Sequence, residues 1–260
     1  WLGGIDWDRR LFDGLIPLPD GTSYNAYLIT GSEATALIDT ADPRKLDELM
    51  AQLAAGPAPD YVIAQHAEQD HSGTLPVVLE RYPEARVLAT PKGKSMLTDL
   101  LRLEGDRIDT VEDGETLSLG DLTLTFVHMP WVHWPETMVT YLEASRILFT
   151  CDFFGSHLAT SDLYVTDQAQ VAEAAKRYYA EIMMPFRLVI ARNLDRLKDF
   201  EIDLIAPSHG PIYREPDFIL DAYRSWVSDP PANKVVLPYI SMHGSTAVMV
   251  HYLVEALVER

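Results

Sequence analysis

The sequence predicts an α/β protein built as a two-sheet sandwich with helices on the outside. Apolar runs typical of strands alternate with segments in which apolar residues recur at helical spacing. Turn residues such as Gly31-Ser32-Glu33 separate these segments. The chain has 260 residues, 47% of them hydrophobic, so it is long enough to bury a large core. The alternation therefore favours two packed layers of strands covered by helices.

The first half of the chain begins with a hairpin and continues with alternating strands and helices. Tyr24 to Ile29 and Thr35 to Ile38 read as two strands, and Pro43 opens a helix that extends to Ala55. The elements that follow are a strand at Tyr61 to Ala64, a helix at about Leu75 to Tyr82, a strand at Arg86 to Ala89 and a helix at Lys92 to Leu103.

The second half is first rich in strands and then helical. Turns at Asp113-Gly114 and Gly120-Asp121 flank alternating apolar residues that indicate a second sheet. Its apolar positions are Leu117, Leu122, Leu124 and Phe126, followed by strands at Met138 to Leu142 and Ile147 to Phe149. The remaining elements are helices at Gln168 to Met183 and Phe186 to Phe200, a strand at Asp203 to Ala206 and a helix at Pro216 to Val227.

A double proline marks a domain boundary. The segment from Ser228 to Asn233 contains Pro230-Pro231 and breaks the pattern on both sides. We therefore predict a first domain over residues 1–228, a linker over 229–233 and the start of another domain over 234–260. The last segment is predicted to contain a strand at Lys234 to Ile240, a small-residue loop and a helix at Ala247 to Glu259. Because the chain starts at Trp1 within a strand-like run, we interpret it as a fragment of a longer protein.

Charge and cysteine usage narrow the class of protein. A formal charge of −18 disfavours binding to nucleic acid or to an anionic membrane surface. No apolar run is long enough to cross a bilayer. The one cysteine, Cys151, excludes a cysteine-rich metal site within the chain and agrees with a reducing compartment. We expect a cytoplasmic protein that binds neither nucleic acid nor membrane.

One loop concentrates the residues that bind metals. His66, Glu68, Asp70 and His71 follow the predicted strand at Tyr61 to Ala64 within six positions. Such spacing fits neither one helix face nor one strand face, so the loop is expected to wrap around a bound group. Further candidate ligands follow apolar strands at later positions, and these are His133, Asp152 and His209. The alternative is a solvated polar loop whose histidines cap the next helix, and it accounts less well for seven such residues together.

These residues resemble the metallo-β-lactamase superfamily and specifically its flavodiiron branch. The zinc hydrolases of that superfamily usually have histidine where this loop has Glu68. A carboxylate there gives a harder, more anionic donor set that favours iron. Additional similarity covers nearly the whole chain, in the segments Gly21-Thr22-Ser23-Tyr24-Asn25-Ala26-Tyr27, His133-Trp134-Pro135-Glu136-Thr137-Met138 and Ser208-His209-Gly210-Pro211. The resemblance implies the αββα sandwich of that superfamily, followed by the first β-α unit of a truncated flavodoxin-like domain.

The resemblance also implies a ligand set and an activity. One iron is expected on His66, Glu68 and His133, a second on Asp70, His71 and His209, with Asp152 bridging the two. The implied activity is reduction of O2 to water, of NO to N2O, or both, with electrons supplied through FMN. Two alternatives stay open: a zinc or mixed-metal hydrolase of the same superfamily, and a non-enzymatic diiron oxygen sensor. The sequence does not decide between O2 and NO.

The tail and the partners follow from the same resemblance. A strand, a loop of small hydroxyl and glycine residues, and a helix form the phosphate site of flavodoxin-like domains, because amides at a helix N-terminus bind anions. The predicted FMN phosphate loop is Ser241, Met242, His243, Gly244, Ser245 and Thr246. FMN is expected in the full-length protein and only weakly, if at all, in this chain. A head-to-tail homodimer is implied, with rubredoxin or a flavin reductase as electron donor.

Two residues are candidates for roles next to the metal ligands. Tyr24 and His157 are candidates for proton donation or hydrogen bonding near the metals, with core packing as the alternative for each. His128 lies in a strand-like run and is interpreted as an ordinary strand residue. The family often carries histidine just before its Gly-Thr segment, where this chain has Asp20. That difference puts proton delivery from this position in doubt.

Overall fold

The computed structural model describes residues 1–228 and 233–259. The chain divides into two compact units, Trp1–Ser228 and Asp229–Arg260. Residues 229–232, which make up most of the predicted linker, lie outside the described residues. The two units are described separately.

The first unit contains the strands and all but one of the helices in the described residues. Its strands are β1 (Leu2–Asp6), β2 (Leu11–Phe12), β3 (Ile16–Pro17), β4 (Thr22–Thr30), β5 (Thr35–Ile38), β6 (Tyr61–Ile63), β7 (Arg86–Ala89), β8 (Ile108–Thr110), β9 (Thr116–Ser118), β10 (Thr123–His128), β11 (Met138–Leu142), β12 (Ile147–Cys151) and β13 (Leu204–Pro207). Its α-helices are α1 (Leu46–Ala54), α2 (Gln69–Ser72), α3 (Leu75–Arg81), α4 (Pro91–Leu101), α5 (Gln168–Tyr178), α6 (Arg187–Arg196) and α7 (Pro216–Val227).

The strands form two large sheets and one small hairpin. The first sheet has the order β1-β4-β5-β6-β7-β8, and the second has the order β13-β12-β11-β10-β9. Strands β5 to β8 run parallel, because helices α1 to α4 provide the crossover connections that parallel neighbours need. In the second sheet only β12 and β13 are parallel neighbours. Strands β2 and β3 pair with each other as a separate hairpin.

Three apolar clusters show how the layers pack. One cluster lies between the sheets and combines Tyr27 and Ile63 of the first sheet with Phe126 and Phe149 of the second. A second cluster joins the first sheet to helices α1, α3 and α4, and a third joins the second sheet to α5, α6 and α7. The order of layers is therefore helix, sheet, sheet, helix. This confirms the fold class predicted from the sequence.

Helix boundaries agree closely with the sequence predictions, with one informative addition. Helix α7 has the predicted limits, Pro216–Val227. The stretch predicted as one helix from Gln168 to Met183 is α5 followed by a π-helical turn at Tyr179–Met183. Such turns widen the helix locally and often occur at functional sites.

The second unit contains one helix, α8 (Ser245–Val258), among its described residues. The strand predicted at Lys234 to Ile240 is wrong for this structure, since those residues pair with no strand of the described chain. A strand needs a neighbour to accept and donate its backbone hydrogen bonds, and residues 233–259 contain no such neighbour. Among the described residues, no helix is both long enough and apolar enough to cross a membrane.

Candidate metal centre

The seven predicted ligand residues come from the ends of four neighbouring segments. His66 and Glu68 follow β6, and Asp70 and His71 lie in the short helix α2 directly after them. His133 lies in the connection between β10 and β11. The remaining two follow parallel neighbours, Asp152 after β12 and His209 after β13. Because adjacent parallel strands end at the same edge of a sheet, the topology brings these side chains together.

The carboxylate of Asp152 lies between two groups of donor atoms. Its Oδ2 atom is 3.0 Å from His133 Nε2 and 3.4 Å from His66 Nε2. Glu68 Oε2 completes this first group, 3.0 Å from His66 Nε2 and 3.3 Å from His133 Nε2. Two imidazoles and one carboxylate therefore surround the Oδ2 side of Asp152.

The other oxygen of Asp152 faces a matching group. Its Oδ1 atom is 3.0 Å from His71 Nε2 and 3.2 Å from His209 Nε2. Asp70 completes this second group, with one carboxylate oxygen 3.1 Å from His209 Nε2 and the other 3.4 Å from His71 Nε2. The two groups are thus chemically alike and share Asp152.

This donor set fits a pair of cations. Both oxygens of Asp70, Oδ1 of Asp152 and Nε2 of His71 are buried without a hydrogen-bond partner. A buried polar atom without a partner is costly, and a bound cation would satisfy all four. Donor atoms about 3 Å apart also match ligands that share one ion at bond lengths of about 2 Å. The donors are imidazole nitrogens and carboxylate oxygens, which suit iron as well as zinc.

The surrounding carboxylates raise the pKa values of the four imidazoles. Burial alone would lower the pKa of His66, but hydrogen bonds to Glu136 and Glu68 raise it to about 10. The same balance between burial and nearby carboxylates raises the pKa of His209 to about 10 and the pKa values of His71 and His133 to about 9. The cluster therefore favours positive charge at its centre, which is what a cation site requires.

A cavity of about 300 Å³ opens onto the cluster. Glu68, Asp70, His133, Asp152 and His209 reach its wall. Trp134, next to His133, lines it too, and the residues that sequence reasoning missed are Phe12, Asp13, Ile16, Tyr178, Glu181 and Ile182. The first three belong to the β2–β3 hairpin, and the last two lie in the π-helical turn after α5.

The hairpin had a detectable sequence signal. Asp13-Gly14 lies between Leu11-Phe12 and Ile16-Pro17, and Asp-Gly between short apolar runs is a strong indicator of a tight turn. Both residues have positive φ, 48° for Asp13 and 69° for Gly14. Glu181 and Ile182 gave no such signal, because a π-helical turn has no distinctive residue pattern.

Comparison with known proteins agrees with this geometry. Residues 22–210 match the family described as "ODP family beta lactamase". A coenzyme F420H2 oxidase of Methanothermobacter thermautotrophicus is 38% identical over 98% of this chain and 66% of its own length. A nitric oxide reductase of Moorella thermoacetica is 38% identical over 99% of this chain and 67% of its own length.

Solved structures give the same result. The rubredoxin oxygen:oxidoreductase of Desulfovibrio gigas matches with a TM-score of 0.89 and 32% identity, over 99% of this chain and 67% of that one. A flavo di-iron protein of Thermotoga maritima, solved as a point mutant, matches with a TM-score of 0.84 and 30% identity, over 98% of this chain and 65% of that one. The chain belongs to the flavodiiron proteins. It spans about two thirds of the length of the curated relatives it matches.

Of the two predicted second-layer residues, one lines the cavity of this flavodiiron chain and one does not. His157 is buried on the cavity wall, its Nδ1 lies 2.9 Å from Thr22 Oγ1, and its Nε2 has no partner. Tyr24 is also buried, but it is not among the cavity residues, and its ring packs edge-on against His209. Burial raises the pKa of its hydroxyl. This placement favours His157 over Tyr24 for contact with a bound molecule.

Two other residues singled out in the sequence lie away from the cluster. His128 ends β10, where its Nε2 is 3.0 Å from the carbonyl oxygen of Val111. This agrees with its interpretation as an ordinary strand residue. Asp20 directs its carboxylate to Arg177 rather than into the cavity.

The predicted phosphate loop of the flavodiiron chain precedes α8. Gly244 has φ +83° and stands immediately before the helix, which begins at Ser245. Ser241 Oγ accepts a hydrogen bond from the amide of Ala247 at 3.2 Å. The Ser241 hydroxyl in the loop is therefore hydrogen-bonded to the first turn of the helix.

Proposed function

We propose that this chain carries the diiron centre of an oxidoreductase that reduces O2 to water, NO to N2O, or both. The observation that carries the proposal is the position of Asp152, whose two oxygens face two matching groups of donors. A shared carboxylate between two sites lowers the repulsion between two cations a few ångströms apart. Three carboxylates against two ferrous ions leave a net positive centre that attracts electrons.

We assign the ligands accordingly. His66, Glu68 and His133 would hold one iron, Asp70, His71 and His209 would hold the other, and Asp152 would serve both. Bound iron supplies the change of oxidation state by which electrons reach the gas. Glu68 distinguishes this set from the zinc hydrolases, because an extra carboxylate favours the harder ferric ion.

The cavity residues select and hold the substrate. Phe12, Ile16, Trp134 and Ile182 give the cavity apolar walls, which suit small uncharged gases and exclude excess water. His157 lines the same space, its Nε2 is buried without a hydrogen-bond partner, and its Nδ1 lies 2.9 Å from Thr22 Oγ1. We propose that Nε2 forms a hydrogen bond with the substrate or with a product oxygen. Tyr24 has a weaker case as a proton donor, since it lies behind His209.

The electrons are proposed to arrive through FMN. Residues 1–228 form the diiron domain in this proposal, and residues 234–260 begin a flavodoxin-like domain after the linker. Ser241, Ser245 and Thr246 would bind the FMN phosphate at the start of α8, where backbone amides and hydroxyls favour an anion. The other loop residues, Met242, His243 and Gly244, would give the loop its shape. We expect full-length protein to hold FMN, and residues 1–260 to hold it weakly or not at all.

The proposed partner is a second copy of the full-length protein, arranged head to tail and bound at the surface beside His133. Trp131 is 51% exposed and stacks on Phe186 at a centroid distance of 6.3 Å, and Phe186 lies 6.5 Å from His133. Exposed aromatic groups beside a site are typical of interaction surfaces. Rubredoxin or a flavin reductase is proposed as electron donor. The buried, unpaired thiol of Cys151 agrees with a cytoplasmic location.

The test combines metal analysis with gas consumption. Residues 1–260 loaded anaerobically with Fe(II) should retain two irons per chain and show the optical absorption of a ferric pair after oxidation. The full-length protein, reduced by its donor, should consume O2 or NO when each gas is added separately in a sealed cell. Iron binding without consumption of either gas would support a sensor. Retention of zinc in preference to iron, with hydrolysis of a lactone or thioester, would instead support a hydrolase.

A further inference from the structure

Three imidazoles of the cluster differ in the group that lies beside their outer nitrogen, Nδ1. In His66 the outer nitrogen, Nδ1, lies 2.7 Å from Oε1 of Glu136. In His209 the corresponding nitrogen lies 2.7 Å from the backbone carbonyl of Ser23. In His71 it lies 3.7 Å from the thiol of Cys151. Of these three supports, the carboxylate is the strongest acceptor and the thiol is the weakest.

Glu136 is built into the site rather than exposed beside it. It is 3% exposed, and its Oε1 accepts hydrogen bonds from both His66 Nδ1 and the backbone amide of Ala67, the latter at 2.9 Å. Thr90 Oγ1 donates to the backbone carbonyl of Glu136 at 3.0 Å and thereby fixes the main chain at this position. A buried carboxylate held at both its side chain and its backbone has little freedom to move.

Glu136 also joins two ligand-bearing segments of the same half of the cluster. Glu136 follows His133 by three residues, and its side chain contacts His66. It therefore links the segment of His133 to the segment of His66. His66 and His133 are both in contact with Glu68 and with Oδ2 of Asp152. The contact with the outer nitrogen therefore acts most directly on this half, through the ring of His66.

An imidazole that binds a cation through Nε2 must carry its proton on Nδ1. An acceptor fixed beside Nδ1 selects this tautomer and the orientation of the ring before the cation arrives. A carboxylate acceptor also increases the basicity of the ligating nitrogen more than a carbonyl or a thiol does. His66 has this carboxylate support, whereas in the other half His209 has a backbone carbonyl and His71 has only the thiol.

We propose that Glu136 is a positioning residue for His66, and that the half-site of His66, Glu68 and His133 consequently binds its metal more tightly than the half-site of Asp70, His71 and His209. The inference rests on the ligand assignment of the proposed function. It concerns metal affinity alone and does not depend on which gas is reduced.

The experiment separates the two half-sites. Asp70→Ala removes one donor from the half-site of His71 and His209, and Glu68→Ala removes one donor from the half-site of His66 and His133, so each change weakens one half-site selectively. Glu136→Gln and Glu136→Ala are introduced into each background, and affinity for Co(II) is measured anaerobically by competition with a chromogenic chelator. Each protein contains residues 1–260, and its metal-free melting temperature is recorded first.

In the Asp70→Ala background we expect Glu136→Gln to weaken Co(II) binding about 10-fold and Glu136→Ala about 100-fold, the usual range for outer-layer partners of metal-binding histidines. Glutamine still offers an oxygen to Nδ1, so it should rescue part of the loss. In the Glu68→Ala background both changes should stay within about twofold. The exposed Glu143, changed to Gln, serves as a control for the loss of one negative charge.

Two results would overturn the inference. One is equal weakening in both backgrounds, which would assign Glu136 a general structural role. The other is unchanged affinity in the Asp70→Ala background. If Glu136→Ala fails to fold, Glu136→Gln alone still decides between these outcomes. Failure of the unaltered chain to bind two Co(II) ions would contradict the proposed ligand set itself, and is thus distinguishable from failure of the Glu136 role.

Discussion

Asp20 forms an ion pair with Arg177, with Oδ2 of the aspartate 3.1 Å from Nη1 of the arginine. The pair joins the segment before β4 to helix α5, at the edge of the cavity region. Asp20 stands where the resemblance to flavodiiron proteins led us to expect a histidine, and its carboxylate pairs with Arg177 rather than lining the cavity. The ion pair therefore connects these two elements.

Asp20→Asn should accordingly have a small effect. The pair is partly exposed, so its loss should lower the free energy of unfolding by at most about 1 kcal/mol, measured by urea denaturation. Metal content and turnover of the full-length protein should stay unchanged. A loss of turnover without a loss of stability would show that the carboxylate has a role in catalysis after all.

Asp152→Ala should remove most of the bound metal. Asp152 is the side chain that both halves of the cluster share, so its removal leaves two cations facing each other with less compensating charge. We expect well below one metal ion per chain after dialysis, measured by mass spectrometry. His128→Ala is the matched control and should retain two ions, because His128 contacts Val111 and not the cluster. Near-complete metal in Asp152→Ala would contradict the bridging role.

His157→Phe should impair turnover while leaving metal in place. Phenylalanine has a ring of similar size but lacks the ring nitrogens of His157, which lines the cavity. We expect kcat of the full-length protein to fall by about tenfold or more, a modest value for loss of a positioned hydrogen-bonding group. Thr22→Val, which removes only the partner of Nδ1, should have a smaller effect in the same direction. Unchanged kcat in His157→Phe would contradict the proposed role.

Gly210→Ala should disturb the metal half-site that contains His209. Gly210 has φ +82°, and an added Cβ would collide with Oγ of Ser156. We expect a destabilisation of about 2 kcal/mol from the strained backbone alone, measured by denaturant unfolding of the metal-free chain. Loss of one metal ion of the two should accompany it, because His209 is displaced with its neighbour. Gly114→Ala is the control for positive φ at a site with open space around it.

The ion pair between Asp113 and Arg196 predicts a small dependence of stability on pH. Burial opposes ionisation of Asp113, but hydrogen bonds from Arg196 and from the amide of His128 hold its pKa below the usual value. A lowered pKa in the folded state contributes stability above the unfolded pKa of about 4, and this contribution is lost as the pH falls through the folded pKa. Asp113→Asn should thus cost at most about 1 kcal/mol at pH 7 and nothing near pH 2.

The sequence predicted the fold class and the family because these depend on long patterns. Helix α7 was predicted to its terminal residues, since Pro216 fixes its start and apolar spacing continues to Val227. The seven candidate ligands could be picked out because each lies shortly after an apolar strand, whereas the strand order that brings them into one cluster was not predicted. Their binding of iron stays a prediction until metal is measured.

The missed features are ones that apolar alternation and helical spacing alone do not reveal. Strands β2 and β3 are two residues long each, too short for alternation to reveal, although they bring Phe12 and Ile16 to the cavity. Glu136 was recognised only as part of a similar segment, because its partner His66 is seventy residues away in sequence. The strand predicted at Lys234 to Ile240 failed for the opposite reason. Its local pattern was adequate, but the described chain provides no neighbour.

The π-helical turn after α5 supplies Glu181 and Ile182 to the cavity wall, yet none of the seven clustered side chains comes from it or from α5. The seven clustered side chains belong to strand ends, loops and the short helix α2, whereas Tyr178, Glu181 and Ile182 of the wall belong to the helical segment between β12 and β13. Substitutions in this helical segment therefore change the cavity wall without changing any of the seven clustered side chains. We expect the shape of the cavity to be adjustable by exchanging this segment alone.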